Sequence, residues 1–428
     1  MKILVTGATG LVGAELCARL ATEGHQVVRV ARKRPKIGLD SDDTVIADFA
    51  SLLRPQDWLG DLQDVDAVVN CAGVLQDGAR ESTSDVHVTG ASALFEACEM
   101  AGIRKVIHFS AIGVDREQPS NFSATKLAGD EALMTRDLDW VILRPSVILG
   151  RAAFGASALF RGLAALPFLP VMPDTGRLQV VQLDDVVGTV LFFLRPGSPT
   201  RIAVELPGPE QLSMSAVVAS YRKWLGHRPA RELALPRWAA LLLYRLGDFA
   251  GSLGWRPPMR TNAAREITRG ATGDPRQWSS LTGISPRSLT QALASQPPAV
   301  QERWFSGLYF VKPAIFVVLP FFWIMTGIIS LTTGWRNGVE LLLNSDVAAL
   351  AEPLVVMGAM ADIVVGMMIA WRRTSWLGIW GAITVSMFYA FAGTLLRPDL
   401  WNEPLGPLMK ILPILVLHFV ALAVLEER

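Results

Sequence analysis

The 428-residue sequence has little cysteine, little tyrosine and little charge. Its three cysteines, Cys17, Cys71 and Cys98, are widely spaced, confined to the first hundred residues and form no CxxC pair. A disulfide framework is thereby excluded, and a reducing compartment is expected. The five histidines form no ligand cluster with the cysteines, so no metal site is expected either. Charged residues make up 18% of the chain, against ~25% in ordinary soluble domains. Forty Lys and Arg balance 39 Asp and Glu, a formal charge of +1. That balance gives no reason to expect nucleic acid as a partner. Composition also excludes disorder, collagen-like repeats and coiled coil. What is present is apolar: 51% hydrophobic residues and a mean hydropathy of +0.34. At ~150 residues per domain, the length allows two or three domains.

The apolar excess is concentrated at the C-terminal end. Residues 313–333 and 375–396 contain no charge, 353–371 is interrupted only by Asp362, and 405–425 carries Lys410 near one end and His418 inside. Each stretch is near the ~20 residues a helix needs to cross a hydrocarbon core. A four-span membrane domain is expected over 305–428, after a linker at 295–304 that opens with SQPPA. The link between the middle spans carries Arg372 and Arg373, whereas the 334–352 loop sets Arg336 against Glu340, Asp346 and Glu352. The positive-inside rule then puts the N-terminal domain and the Glu426-Glu427-Arg428 tail in the cytoplasm, with the chain in the inner (cytoplasmic) membrane. Met1-Lys2 runs straight into a strand, so no signal peptide is expected. Asp362 and His418 are ionisable groups at membrane depth, read either as proton or quinone contacts or as helix-packing contacts.

The soluble part opens with a strand at Lys2–Thr6, the glycine turn TGATGLVG, a helix over 14–23 and a second strand at Gln26–Ala31. Gly7, Gly10 and Gly13 let the chain turn tightly and approach a pyrophosphate, while the helix N-terminus supplies N–H groups. Gly7, Thr9, Gly10, Leu11, Val12 and Gly13 are accordingly the expected phosphate cradle. The second strand ends in Ala31-Arg32-Lys33-Arg34 rather than in an acid. Arg32 there suits a 2′-phosphate, so NADP(H) is expected, with NAD(H) as the alternative. Further strands over 44–47, 67–71, 106–110 and 140–144, with helices over 84–101 and 122–136, predict an α/β fold of the Rossmann type. Its doubly wound parallel sheet would bind ligand at the carboxyl ends of the strands.

Beyond the glycine turn, Asp48-Phe49, Asn70-Cys71-Ala72-Gly73, His108-Phe109-Ser110-Ala111, Lys126 and Arg144-Pro145-Ser146 occur in order. Together they resemble extended and atypical short-chain dehydrogenases/reductases, with NmrA-like relatives and the NADPH-binding accessory subunit of respiratory complex I closest. The resemblance covers about 1–294 and includes the closing Leu281-Thr282-Gly283-Ile284-Ser285-Pro286. It implies that Asp48 and Phe49 flank the adenine, that Cys71, Ala72 and Gly73 line the cofactor, and that Lys126 bonds the nicotinamide ribose. It also implies a small substrate lobe, mainly 145–294. Residues 305–428 resemble the DoxX-like membrane family through their four hydrophobic stretches. At one point the chain departs from the reductase pattern. The family's acid–base tyrosine, four residues before the lysine, is here Phe122. A phenyl ring has no proton to give. The four tyrosines, Tyr221, Tyr244, Tyr309 and Tyr389, all lie beyond the Rossmann core. Lys126 and Ser110 are then the catalytic candidates, with Ser123 and Thr125 as further hydroxyls, each also readable as structural.

Two apolar helical stretches, 151–172 and 236–255, either line a substrate cleft or lie at a membrane interface. Asp184-Asp185 reads as a structural pair. Three functions stay open: an oxidoreductase for an apolar or lipid substrate such as a quinone or polyprenyl compound, a non-catalytic nucleotide-binding subunit or assembly factor of a membrane complex, and a redox sensor. A homo-oligomer is compatible with each.

Overall fold

A computed structural model describes residues 1–32, 44–78, 82–343, 347–403 and 406–425, and they form two compact units. One comprises Met1–Phe249 and Pro257–Gly307; the other comprises Ala250–Arg256 and Leu308–Arg428.

The first unit holds strands β1 (Lys2–Thr6), β2 (Gln26–Ala31), β3 (Thr44–Ile46), β4 (Ala67–Asn70), β5 (Lys105–Phe109) and β6 (Asp139–Pro145). These are followed by β7 (Ile148–Leu149), β8 (Phe168–Val171), β9 (Val181–Gln182), β10 (Ile202–Leu206) and β11 (Arg231–Ala234). Seven of them make one sheet in the order β10-β6-β5-β4-β1-β2-β3, with every pairing parallel. The order reverses between β1 and β4, the switch point at which such sheets leave a crevice. The strands are short apolar runs because helices cover both faces: Ile3, Leu4, Val5, Val68 and Val69 have no exposed surface. The helices that begin in this unit include α1 (Leu11–Thr22), α2 (Gly90–Met100), α3 (Asn121–Met134), α4 (Gly155–Ala165), α5 (Leu183–Leu194), α6 (Met214–Trp224), α7 (Arg237–Ser252), whose last turn belongs to the other unit, and α8 (Thr261–Arg269). On one side of the sheet, Leu16 and Leu20 of α1 meet Val186, Val190 and Phe193 of α5 and the buried Trp278. On the other, Leu94 and Phe95 of α2 meet Trp58 and Leu133.

The closing segment belongs to this core. Trp278 is fully buried and its Nε1 donates to Thr189 Oγ1 at 2.9 Å. Arg287 donates from its backbone N and Nε to Asp185 and from Nη2 to Asp184, both in the first turn of α5. The Asp184-Asp185 pair is therefore a structural lock.

Three local expectations are revised. The helix expected over 151–172 is α4 followed by β8, because Pro167 drives Leu166 to an extended backbone (ψ 149°). The helix expected over 84–101 begins as a π-helical turn, Asp85–Thr89. The linker expected at 295–304 is only briefly irregular: Val300–Leu308 is helical and starts inside the first unit.

In the second unit, Val311–Leu331, Ala348–Ala370 and Ser375–Leu396 are long and apolar enough to cross a membrane. The fourth stretch is shorter than expected. Pro407 begins a run of turns, and the helix spans only Ile411–Leu425. Its 15 residues rise about 22 Å at 1.5 Å per residue, against about 30 Å of hydrocarbon. The two ionisable groups at depth are both paired. Asp362 accepts from the Tyr389 hydroxyl at 2.9 Å. His418 Nε2 accepts from Trp323 Nε1 at 3.0 Å, which leaves Nδ1 to donate to the Ile414 carbonyl. Such bonds join one helix to the next where lipid offers no competing partner. The Asp346 and 426–428 parts of the topology reading lie outside the described residues.

Candidate active site

The crevice starts at the glycine turn. Gly7 sits at φ +62°, and a Cβ there would meet the Cys71 carbonyl oxygen at 2.7 Å. Gly13 lies against the Gly7 backbone with equally little room. Only glycine lets β1, β4 and α1 approach this closely. Gly10 is the N-cap of α1 and offers no side chain to the first-turn N–H groups of Leu11, Val12 and Gly13. This is the arrangement that receives a pyrophosphate, so the residues present fit a dinucleotide.

Arg32 follows β2 and is exposed at the crevice rim; Lys33 and Arg34 lie outside the described residues. Asp48 is exposed just past β3. Phe49 is 7% exposed, and its ring meets Trp58 edge-on at 5.3 Å. Its side chain is part of the core, and its carbonyl packs against Gly90 of α2. Cys71 is half-buried, and burial pushes its thiol far above the usual range.

Phe122 and Lys126 stand one turn apart on the same face of α3, whose N-cap Ser120 bonds the Ser123 N–H. Lys126 is 4% exposed and donates to the Phe109 carbonyl at 2.8 Å and to Ala72 O at 3.4 Å. Among the described residues these are its two acceptors, and the ammonium has a third N–H to give. Desolvation brings the Lys126 pKa down to about 8, partly opposed by Asp130. Gly73 borders this ammonium: a Cβ there would lie 3.2 Å from Nζ and 3.6 Å from His87 Nε2.

His87 is the residue sequence reasoning missed. The π-helical turn carries it into the crevice, where its ring meets Phe122 edge-on at 5.6 Å. Nε2 accepts from the Val74 N–H, so Nδ1 bears the proton and faces Thr125 Oγ1 at 2.9 Å. Burial and the neighbouring Lys126 charge push the His87 pKa down to about 2, which keeps it neutral. Thr125 gives its own proton to the Asn121 carbonyl. Ser123 gives its proton to Glu266 of α8, a residue also bonded by Ser120.

Ser110 does not present a free hydroxyl either. It is 6% exposed, and Oγ donates to Asp130 Oδ2 at 2.9 Å. Asp130 is fully buried one turn beyond Lys126 and also binds Arg144, which reaches out to Asp115. Desolvation raises the Asp130 pKa to about 6, against the pull of Arg144. From the opposite side, Thr6 donates to Asn70, Asn70 Nδ2 donates to His108 Nδ1, and His108 Nε2 faces Asp130 at 3.6 Å. A buried polar chain thus runs beneath the crevice from β1 to β6.

Above it, two cavities flank α8. One, about 250 Å³, lies between Gln76-Asp77 of the loop after β4 and Asp248, Arg260 and Asn262. The other, about 330 Å³, is lined by Pro119, Leu241, Tyr244, Ala264 and Thr268. The loop is held there, Asn262 bonding Leu75 O and Arg260 bonding Asp77 O.

A family model described as NAD(P)H-binding matches residues 7–159, and the DoxX-like family matches 320–419. The chain joins an NAD(P)H-binding, short-chain dehydrogenase/reductase-like domain to a DoxX-like one. A ceramide reductase of Caulobacter vibrioides is 29% identical over 206 residues, 48% of this chain and 63% of that protein. The chain therefore spans less than two thirds of that relative's length. Sterol demethylase protein B of Methylococcus capsulatus is 25% identical over 336 residues, covering 71% of this chain and 99% of its own. Subunit 9 of the NADH dehydrogenase [ubiquinone] 1 alpha subcomplex of Dictyostelium discoideum is 26% identical over 208 residues, 46% and 57% of the two chains. Among solved structures, Bordetella bronchiseptica WbmG in complex with NAD superposes with a TM-score of 0.54 at 17% identity, over 72% of this chain and 95% of its own. That likeness concerns the fold.

Proposed function

We propose that the chain is a membrane-anchored NADP(H)-dependent oxidoreductase acting on an apolar, membrane-derived substrate: a lipid ketone or alcohol, a polyprenyl compound or a quinone. The observation that carries this reading is Lys126. Beside it, Phe122 has no proton and His87, Thr125, Ser123 and Ser110 have theirs engaged. Among these side chains Lys126 is the one whose pKa comes down to about 8. A reduced nicotinamide bound over the glycine turn would supply hydride to a carbonyl carbon. Lys126, an ammonium below about pH 8, holds the remaining N–H that can neutralise charge on the oxygen. Phe122 and His87 wall off water, and Leu241 and Tyr244 line an apolar cavity beside α8. The named activities of the Caulobacter and Methylococcus relatives, both toward lipids, support the substrate class. Arg32, in place of an acid, supports NADP(H). The Arg372-Arg373 link supports a cytoplasmic nucleotide domain in the inner membrane.

The test is NADPH and NADH oxidation by full-length protein in lipid nanodiscs, offered long-chain ketones, sterol ketones and quinones. Turnover that depends on Lys126 is expected. Clear turnover by Lys126→Met would remove the lysine from the chemistry. A second reading, a nucleotide-binding subunit of a membrane complex, is favoured by Phe122 and by the complex I relative. It expects NADPH bound stoichiometrically with no substrate consumed.

A further inference from the structure

Helix α7 wears its apolar side outward. Only Ala240 and Gly247 are buried along its 16 residues. At 100° per residue these two share one side, and Trp238, Leu242 and Leu246 fall on the other, at 71%, 50% and 53% exposure. Phe249, also exposed, continues that row. Arg245 lies within the same face and makes no ion pair among the described residues. A face this apolar is unusual in water, where contiguous patches mark an interaction site.

The end of this helix belongs to the membrane unit, which takes in its last turn and the residues after it, Ala250–Arg256. Trp255 Nε1 donates to the carbonyl of Ala370, the last residue of the second span. Arg372 N donates to Leu253 O, and the Arg372 guanidinium stands 5.5 Å from the Trp255 ring centre. The helix therefore ends where a span ends, among a tryptophan and arginines of the kind that sit at headgroup level.

We propose that the outer face of α7 lies in the interface of the lipid bilayer, with Trp238, Leu242 and Leu246 among the acyl chains and Arg245 reaching to a lipid phosphate. An interfacial helix buries its apolar side ~5–10 Å below the headgroups, and an arginine within that side extends along its own methylenes to the charge above. The opposite flank of the helix, Leu241 and Tyr244, borders the 330 Å³ cavity. The seat in the bilayer is independent of whether the crevice turns over.

The experiment uses the full chain in phosphatidylcholine–phosphatidylglycerol nanodiscs, with a polarity-sensitive fluorophore at Leu242→Cys and, as reference, at Glu15→Cys on the exposed side of α1. The natural cysteines are buried or half-buried, and unsubstituted protein sets the background. The expected result is quenching by lipid-borne nitroxides several-fold stronger at 242 than at 15, with the reverse order for a water-soluble quencher. Equal quenching at the two sites would overturn the proposal. So would protection of 242 from both quenchers, which would mean that protein, such as a second copy of the chain, covers the face. Labelling at Leu246→Cys repeats the measurement should Leu242→Cys fail to fold.

Discussion

Replacing tyrosine by Phe122 changes which atom can end a reaction with a proton, and Lys126 inherits the question. With a reducible substrate, kcat/KM of the wild type should fall as pH rises through about 8, because the ammonium is the donor. Lys126→Met should lower it by ~10²–10⁴ and flatten the profile. The same lysine links pH to stability. Its pKa is 10.5 unfolded and about 8 folded, so the unfolded chain binds more protons between those values and stability climbs with pH across that window. Asp130 acts on the site through Lys126, whose pKa its charge raises. Asp130→Asn should therefore move the falling limb of the pH profile below pH 8, a shift that a merely structural role would not give. It should also cost stability, toward the ~3–5 kcal/mol of a broken buried pair, since Arg144 keeps only Asp115. Chemical denaturation beside the pH profile separates the two effects.

At the scale of elements, β1, the glycine turn, α1 and β2 were legible in the sequence. A strand buried on both faces leaves an uninterrupted apolar run, and a tight turn leaves glycine. The polar chain under the site was not legible. Asn70 and His108 meet across neighbouring strands, 38 positions apart, and nothing local marks either as the other's partner. His87 left a signal only in hindsight, a histidine within a short helical run that adopts a π turn. The breaks at Leu166-Pro167 and Pro407 were written in proline but outweighed by the hydrophobicity around them. Two substitutions test the nucleotide end. Arg32→Asp should weaken NADPH binding by roughly 1.5–3 kcal/mol and leave NADH little changed, as read by titration calorimetry. Gly7→Ala forces a Cβ onto a backbone oxygen at a positive φ. It should abolish retention of either nucleotide and with it the rise in melting temperature that a ligand of the folded state confers.

Across the whole molecule, the sidedness reading depends on whether the short last helix crosses. Its 15 residues fall short of a typical bilayer, yet local thinning accommodates such a mismatch at modest cost. His418, sealed by Trp323, removes the polar penalty from its middle. A cysteine at Asn337 and a reporter fused after Arg428 should therefore report opposite sides of the membrane. Both on one side would mean that Ile411–Leu425 does not cross.

Trp278 carries a consequence for how this protein is made. The indole that fills the sheet's core comes near residue 280, long after the first strand and only some thirty positions ahead of the apolar span at Val311. At ~5–20 residues per second, a few seconds separate the two. The nucleotide fold thus becomes able to close its core at about the moment the chain presents its first membrane helix. Insertion and closure share a single interval of translation, so delaying one by a slow codon run or a longer connecting segment would leave the other exposed.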